Sequence, residues 1–204
     1  RALDAGVARV LDVLDELGYA DNTIVIFTSD NGGERFSDMG ELQGMKMQLW
    51  EGGIRVPAFV RWPGIVSGGA TTEQVATTLD WTATMLAAAG VELTPELDGV
   101  NLLSHLRGEV PVEARTVFWR SNRWGVQHAV RQGDWKYLRV DEPHPSPGRA
   151  NEVSEFLFNL SVDPGETTNL AGQESAVFER LQRIYAEWEA GVLPRIEPMT
   201  SPLS

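Results

Sequence analysis

The sequence predicts a mixed α/β fold in two parts, an α/β region over residues 1–110 and a small α+β subdomain over residues 111–204. Three observations carry that prediction. Apolar residues recur at helical spacing near both ends of the chain, at Leu3, Val7, Val10, Leu14 and Leu17 and again at Val177, Phe178, Leu181, Ile184, Tyr185 and Trp188. A short apolar run, Ile24 to Phe27, stops abruptly at Ser29-Asp30-Asn31-Gly32-Gly33. Beyond residue 111, short β-rich runs alternate with turn chemistry, the pattern of an antiparallel sheet.

Taken in order, residues 2–18 form an amphipathic helix with Asp12, Asp15 and Glu16 on its polar side, and Gly18 fits the position just past its end. Residues 23–28 follow as a strand. The run is unbroken and β-branched, which suits a strand buried on both faces, and a helix leading into such a strand is half of a parallel α/β unit. Residues 32–53, rich in Gly, Met and polar side chains, have no sustained periodicity and read as a long loop with room for one helical turn. Loops of that length inside a compact domain are usually functional or disordered. Ile54 to Trp62 is the next strand, with Pro57 marking its beginning or an edge position. Gln74 to Thr78 extends briefly, Asp80 caps a helix from Trp81 to Ala89, and Gly90 closes it. A short helix lies around Leu102–Leu106, where His105 reads as a packed or surface residue.

In the second region the expected strands are Val117 to Arg120, Gln127 to Arg131, Trp135 to Val140 and Glu155 to Leu160. A Pro-rich loop, Asp141 to Gly148, separates the last two. The aromatic stripe of the helix over 175–190 is core packing against this sheet, and the tail from Pro194 runs irregularly.

Composition narrows the classes of function. At 204 residues there is length for one large or two small domains. A formal net charge of −12 argues against nucleic acid, whose binding needs a basic footprint. An anionic substrate would then have to be met by a metal and a few local cations. No apolar run reaches the length of a membrane-spanning helix. Cysteine is absent, which removes disulfides, thiolate metal sites and a thiol nucleophile. The chain opens at Arg1 inside a helical pattern, so a preceding segment is expected, and compartment does not follow from these residues.

Asp30 and Asn31 place a carboxylate and an amide oxygen side by side at a strand's carboxyl end, where open α/β sheets bind ligands. Such oxygen donors suit a hard cation, Ca²⁺ or Mg²⁺. Further along, Lys46 precedes Glu51-Gly52-Gly53 and offers a fixed positive charge. Taken singly, the first feature is most often only a turn and the second most often a solvated surface lysine.

The order of the parts resembles the sulfatase family. The match runs through Ser-Asp-Asn-Gly-Gly, Gly44-x-Lys46, Glu51-Gly52-Gly53-x-Arg55-Val56-Pro57, Phe59-Val60-Arg61-Trp62-Pro63-Gly64, Asp98-Gly99, Gly133-Asp134-Trp135-Lys136-Tyr137 and Asp163-Pro164-x-Glu166-x-x-Asn169-Leu170. The resemblance implies the C-terminal part of an alkaline-phosphatase-like α/β sandwich and its small α+β subdomain, and hydrolysis of a small-molecule or carbohydrate sulfate ester. It implies that Asp30 and Asn31 are ligands of a divalent cation, usually Ca²⁺, and that Lys46 contacts the substrate and acts in catalysis. It also implies a formylglycine nucleophile from a Cys-x-Pro-x-Arg type motif, which is not in this sequence; nor are the paired aspartates, second lysine and histidines of the family's N-terminal half. The chain alone is therefore expected to be inactive, with the preceding half of the same protein as its partner. Two alternatives stay open: a phosphodiesterase or phosphonate ester hydrolase of the same superfamily, and a non-catalytic binding module. The segment Trp119 to Trp124, with two arginines, suits sugar or aryl groups or else supplies core tryptophans and surface charge.

Overall fold

The computed structural model describes residues 2–122, 125–142 and 152–192. Packing divides the chain into two compact units, residues 1–30 with 57–113 and residues 31–56 with 114–204. The first boundary thus falls inside the Asp30-Asn31 dipeptide.

In the first unit, helix α1 spans Ala2–Glu16 and Gly18 ends it at φ 70°, with its N–H donating to the Asp15 carbonyl at 3.1 Å. The expected apolar stripe is present, yet no α1 residue is buried: Leu3 is 70% and Val10 58% exposed. Strand β1, Val25–Thr28, pairs antiparallel with β2, Ala58–Arg61, placing Val25 opposite Arg61 and Thr28 opposite Ala58. This corrects the expectation of a parallel strand buried on both faces, since the pairing is antiparallel, no β1 residue is buried and Phe27 is 40% exposed. An apolar run marks a segment as strand-like but does not set the direction of its neighbour. Pro57 lies just before β2, where a missing N–H breaks no ladder bond.

Between β2 and the α3 helix, Gln74 to Thr77 forms no strand, and α3 begins at Thr78 and runs to Ala88. That is earlier than the Trp81 start expected from sequence. Asp80 lies in the first turn rather than before it, and its Oδ2 accepts from the Thr77 N–H at 2.6 Å and the Thr77 hydroxyl at 3.1 Å. This reach back to the residue before the helix is one arm of a capping box. The other oxygen of Asp80 accepts from the Val100 N–H at 2.8 Å, so one carboxylate organises both the helix start and a distant loop. Helix α4, Leu103–Leu106, is joined to α3 by the Leu102 N–H, which donates to the Thr84 hydroxyl at 3.0 Å.

The second unit carries a meander of four antiparallel strands in sequence order: β3 Thr116–Ser121, β4 Val126–Gln132, β5 Trp135–Glu142 and β6 Glu152–Asn159. The register places Ala129 opposite Leu138, and Leu138 opposite Phe156. Alternation then sorts the side chains onto two faces. Val130, Tyr137 and Leu157 face helix α5, Ser175–Gly191, which contributes Leu181 and Tyr185, as its stripe predicts. Phe118 stacks on Trp188 at 4.8 Å and His128 on Tyr185 at 5.0 Å. The opposite face, with Ala129, Leu138 and Phe158, packs under Leu49 and Trp50 of the 31–56 segment. Helix α2, Glu51–Ile54, is that segment's single helical turn. The Pro-rich residues 143–148 and the tail from 194 lie outside the described residues.

Candidate functional site

Loop 31–56 lacks periodicity but is closely bonded to itself. The Gly32 N–H donates to the Gly53 carbonyl at 2.8 Å and the Gly52 N–H to the Gln43 carbonyl at 2.6 Å. The Lys46 N–H donates to the Gly33 carbonyl at 2.8 Å. The loop therefore folds back on itself and brings the Lys46 backbone against the residues that follow Asn31. Two glycines make the approach feasible. A Cβ on Gly32 would collide with the Gly52 carbonyl, and one on Gly53 with the Gln48 carbonyl.

The predicted site residues fall as follows. Asp30 follows β1 in the first unit and is exposed, whereas Asn31 and Lys46 belong to the second and are half-buried. The Lys46 ammonium lies 3.8 Å from Glu34 Oε2, in a pair whose side chains are 38% and 69% exposed. A solvated pair of that kind is worth about 0–1 kcal/mol, so Lys46 can exchange Glu34 for a stronger anion at little cost. As oxygen donors, Asp30 and Asn31 fit part of a Ca²⁺ or Mg²⁺ coordination sphere. Among the described residues no group of three or more His, Cys, Asp and Glu could hold a metal. The same loop exposes Phe36 almost fully at φ 73°, with the Arg35 guanidinium 4.9 Å from its ring centre, a feature without sequence signal. In the Trp119–Trp124 segment, Trp119 packs against the loop-side core and Arg120 lies 3.8 Å from Glu189, while Arg123 and Trp124 are outside the described residues.

Sequence reasoning missed a buried charge cluster under this loop. Lys136, on the loop face of β5, is completely buried, and its ammonium lies 2.8 Å from Glu51 Oε1 and 2.7 Å from Glu166 Oε1. The second Glu166 oxygen accepts from the Glu51 N–H at 2.6 Å, and the Glu166 carbonyl accepts from the Gln43 side chain at 2.9 Å. Gln127, also buried, accepts from the Leu49 N–H at 2.9 Å and donates to the Met47 carbonyl at 3.2 Å. A signal was present, because Glu51, Lys136 and Glu166 each sit inside one of the matching motifs. Sequence separation hid their meeting.

Burial holds the Glu166 carboxyl above its ordinary value of 4.5, against the opposing pull of the Lys136 charge and hydrogen bonds. Just above pH 4.5 the folded chain therefore keeps a proton that the unfolded chain has released, and stability falls as pH rises through that window. Glu166→Gln should remove this negative slope, as read by urea midpoints from pH 4 upward, about one unit at a time. An unchanged slope would mean that Glu166 ionises in the fold as it does in the open chain.

Mixed α/β chains of this layout recur among solved structures. That of Ps i-CgsB in complex with k-i-k-neocarrahexaose aligns with a TM-score of 0.75 and 28% identity over 92% of this chain and 41% of its own. A phosphonate monoester hydrolase from Silicibacter pomeroyi, at a TM-score of 0.68 and 22% identity over 93% of this chain and 39% of its own, shares the fold. These likenesses give the chain a mixed α/β fold of the alkaline-phosphatase-like kind. It belongs to the sulfatase family: the family model described as Sulfatase matches residues 1–91, and the curated relatives agree along the chain. Human arylsulfatase A is 33% identical over 93% of this chain, and human N-acetylgalactosamine-6-sulfatase 40% identical over 90% of it. The chain spans 43% and 40% of the lengths of those two relatives.

Proposed function

We propose that the whole protein to which this chain belongs is a sulfuric ester hydrolase, with Asp30 and Asn31 as cation ligands and Lys46 as the charge that meets the sulfate. The observation that carries this reading is the fold-back of loop 31–56, in which the Lys46 amide bonds the carbonyl of Gly33, two residues after Asn31. A Ca²⁺ or Mg²⁺ ion held there would supply Lewis-acid polarisation of the sulfate oxygens. A formylglycine from the preceding half of the protein would supply the nucleophile. Lys46 gives up Glu34 for the substrate and stabilises charge on the sulfate or the departing oxygen, where fixed charge counts for more than in water. These local cations reconcile an anionic substrate with a net charge of −12. The sugar named with Ps i-CgsB and the hexosamine sulfate in the human relative's name favour a carbohydrate sulfate ester.

The test is turnover by the whole protein of an aryl sulfate and a hexosamine sulfate, beside an aryl phosphonate monoester. Lys46→Ala is expected to lower kcat by about 10²–10³-fold, the cost of deleting one preorganised charge-stabilising group. The 204-residue chain alone, which has no cysteine, is expected to turn over none of them. Faster turnover of the phosphonate would favour the phosphonate hydrolase reading, and full activity of Lys46→Ala would remove the lysine from the mechanism.

A further inference from the structure

Glu51, Lys136 and Glu166 have no assigned part in sulfate chemistry. Glu51 stands 85 residues from Lys136 and 115 from Glu166, yet all three meet at one buried point. We propose that this triad is a positioning clamp for Asn31 and Lys46. It fixes the course of loop 31–56 by tying the loop's last turn to the centre of β5, and its members touch neither cation nor sulfate. The clamp stands on geometry alone, while its consequence for the site rests on the sulfate-ester reading.

Short, mostly main-chain links connect the triad to the site. Lys136 holds the Glu51 side chain, and Glu51 is followed at once by Gly52 and Gly53. The Gly53 carbonyl receives the Gly32 N–H, next to Asn31, and the Gly33 carbonyl receives the Lys46 N–H. From the other side, Glu166 holds the Glu51 amide and, through its carbonyl, Gln43, whose own carbonyl receives the Gly52 N–H. Gln127 bonds Met47 and Leu49, which closes the stretch between Lys46 and Glu51. A displacement at Glu51 therefore has little slack in which to die out before it reaches Gly32 and Lys46.

Two further features separate a clamp from a plug. Glu166 adopts φ 55°, a left-handed conformation that a non-glycine residue holds only when its surroundings impose it. In addition, a buried ion triad is commonly no more stabilising than apolar residues of the same volume. What charges add here is a fixed position, because an ammonium between two carboxylates admits one arrangement and an apolar cluster admits several.

The experiment is native-state hydrogen exchange on the whole protein, comparing wild type, Lys136→Met, Glu51→Gln and Leu181→Ala. The last opens the packing between sheet and α5 and serves as a general destabilisation control. In Lys136→Met the Gly32, Lys46 and Gly52 amides should exchange at least about tenfold faster relative to the β4 and β5 amides, whereas Leu181→Ala accelerates loop and sheet alike. Equal acceleration in Lys136→Met, or an unchanged loop, overturns the clamp. If Lys136→Met does not fold, Glu51→Gln makes the same comparison with the shape retained. Full loop protection in the triple variant Glu51→Gln, Lys136→Met, Glu166→Gln also overturns it. A second readout is terbium luminescence of the whole protein, with binding weakened about tenfold or more by Lys136→Met and not by Leu181→Ala. Absence of terbium binding in wild type counts against the Asp30–Asn31 reading, while the exchange rates still decide for or against the clamp.

Discussion

Lys136→Met is expected to lower the free energy of unfolding by about 3–5 kcal/mol, the cost of stripping one partner from a buried ion group. Lys136 is wholly buried and Glu51 and Glu166 nearly so. Removing the ammonium leaves two carboxylates facing each other without solvent or countercharge. One of them must take up a proton or admit water, and either route costs free energy that the wild-type fold does not spend. Glu166, already raised by burial, is the natural site for that proton. The variant should accordingly recover part of its lost stability in acid, where the carboxylates are neutral. Urea titrations at neutral pH and near pH 4.5 check both statements. A loss below about 1 kcal/mol at neutral pH would mean that the cluster is solvated, contrary to the burial.

Asp80→Ala is the second large expected effect, about 2–4 kcal/mol, and it acts in the other unit. Asp80 is fully buried and accepts the Thr77 and Val100 amides at 2.6 and 2.8 Å. The substitution leaves both donors without this acceptor, at about 1–3 kcal/mol for each donor that stays dry. Asp80→Asn is the informative companion, because the amide keeps one acceptor oxygen and should retain part of the stability. Exchange at the Val100 amide distinguishes this local account from a general weakening of α3: it should accelerate in both variants, more in Asp80→Ala. If Asp80→Ala unfolds no more easily than wild type, the carboxylate is not what joins helix to loop.

The sequence was informative wherever side chains follow a local period. The stripe from Val177 to Trp188 predicts both α5 and the face it buries, and the short strand-like runs separated by turn chemistry after residue 111 predict an antiparallel sheet. The same rule found α1, although not the exposure of its apolar side. It failed at β1, because four apolar residues in a row specify a strand without specifying a neighbour. Loop 31–56 was legible only as a loop. Its conformation is decided by Gln127, Lys136 and Glu166, far away in the chain, so no window of local sequence contains the information. Asp30, Asn31 and Lys46 could be nominated from motifs. The structure adds the fold-back that draws the Lys46 backbone toward Asn31, and the buried cluster beneath it.

The charge at Lys136 also bears on how the sheet can be misassembled. Side chains on a strand alternate between faces, so a one-residue slip of β5 against β4 and β6 would turn Lys136 from Glu51 and Glu166 toward Val130, Leu157 and Leu181. There the ammonium would be buried among hydrocarbon with no carboxylate to meet it, while Glu51 and Glu166 would lose their countercharge. An all-apolar loop face would tolerate such a shift far better. The lysine therefore makes the neighbouring pairing error self-defeating, and discrimination against a misregistered sheet is built into the same residue that holds the loop.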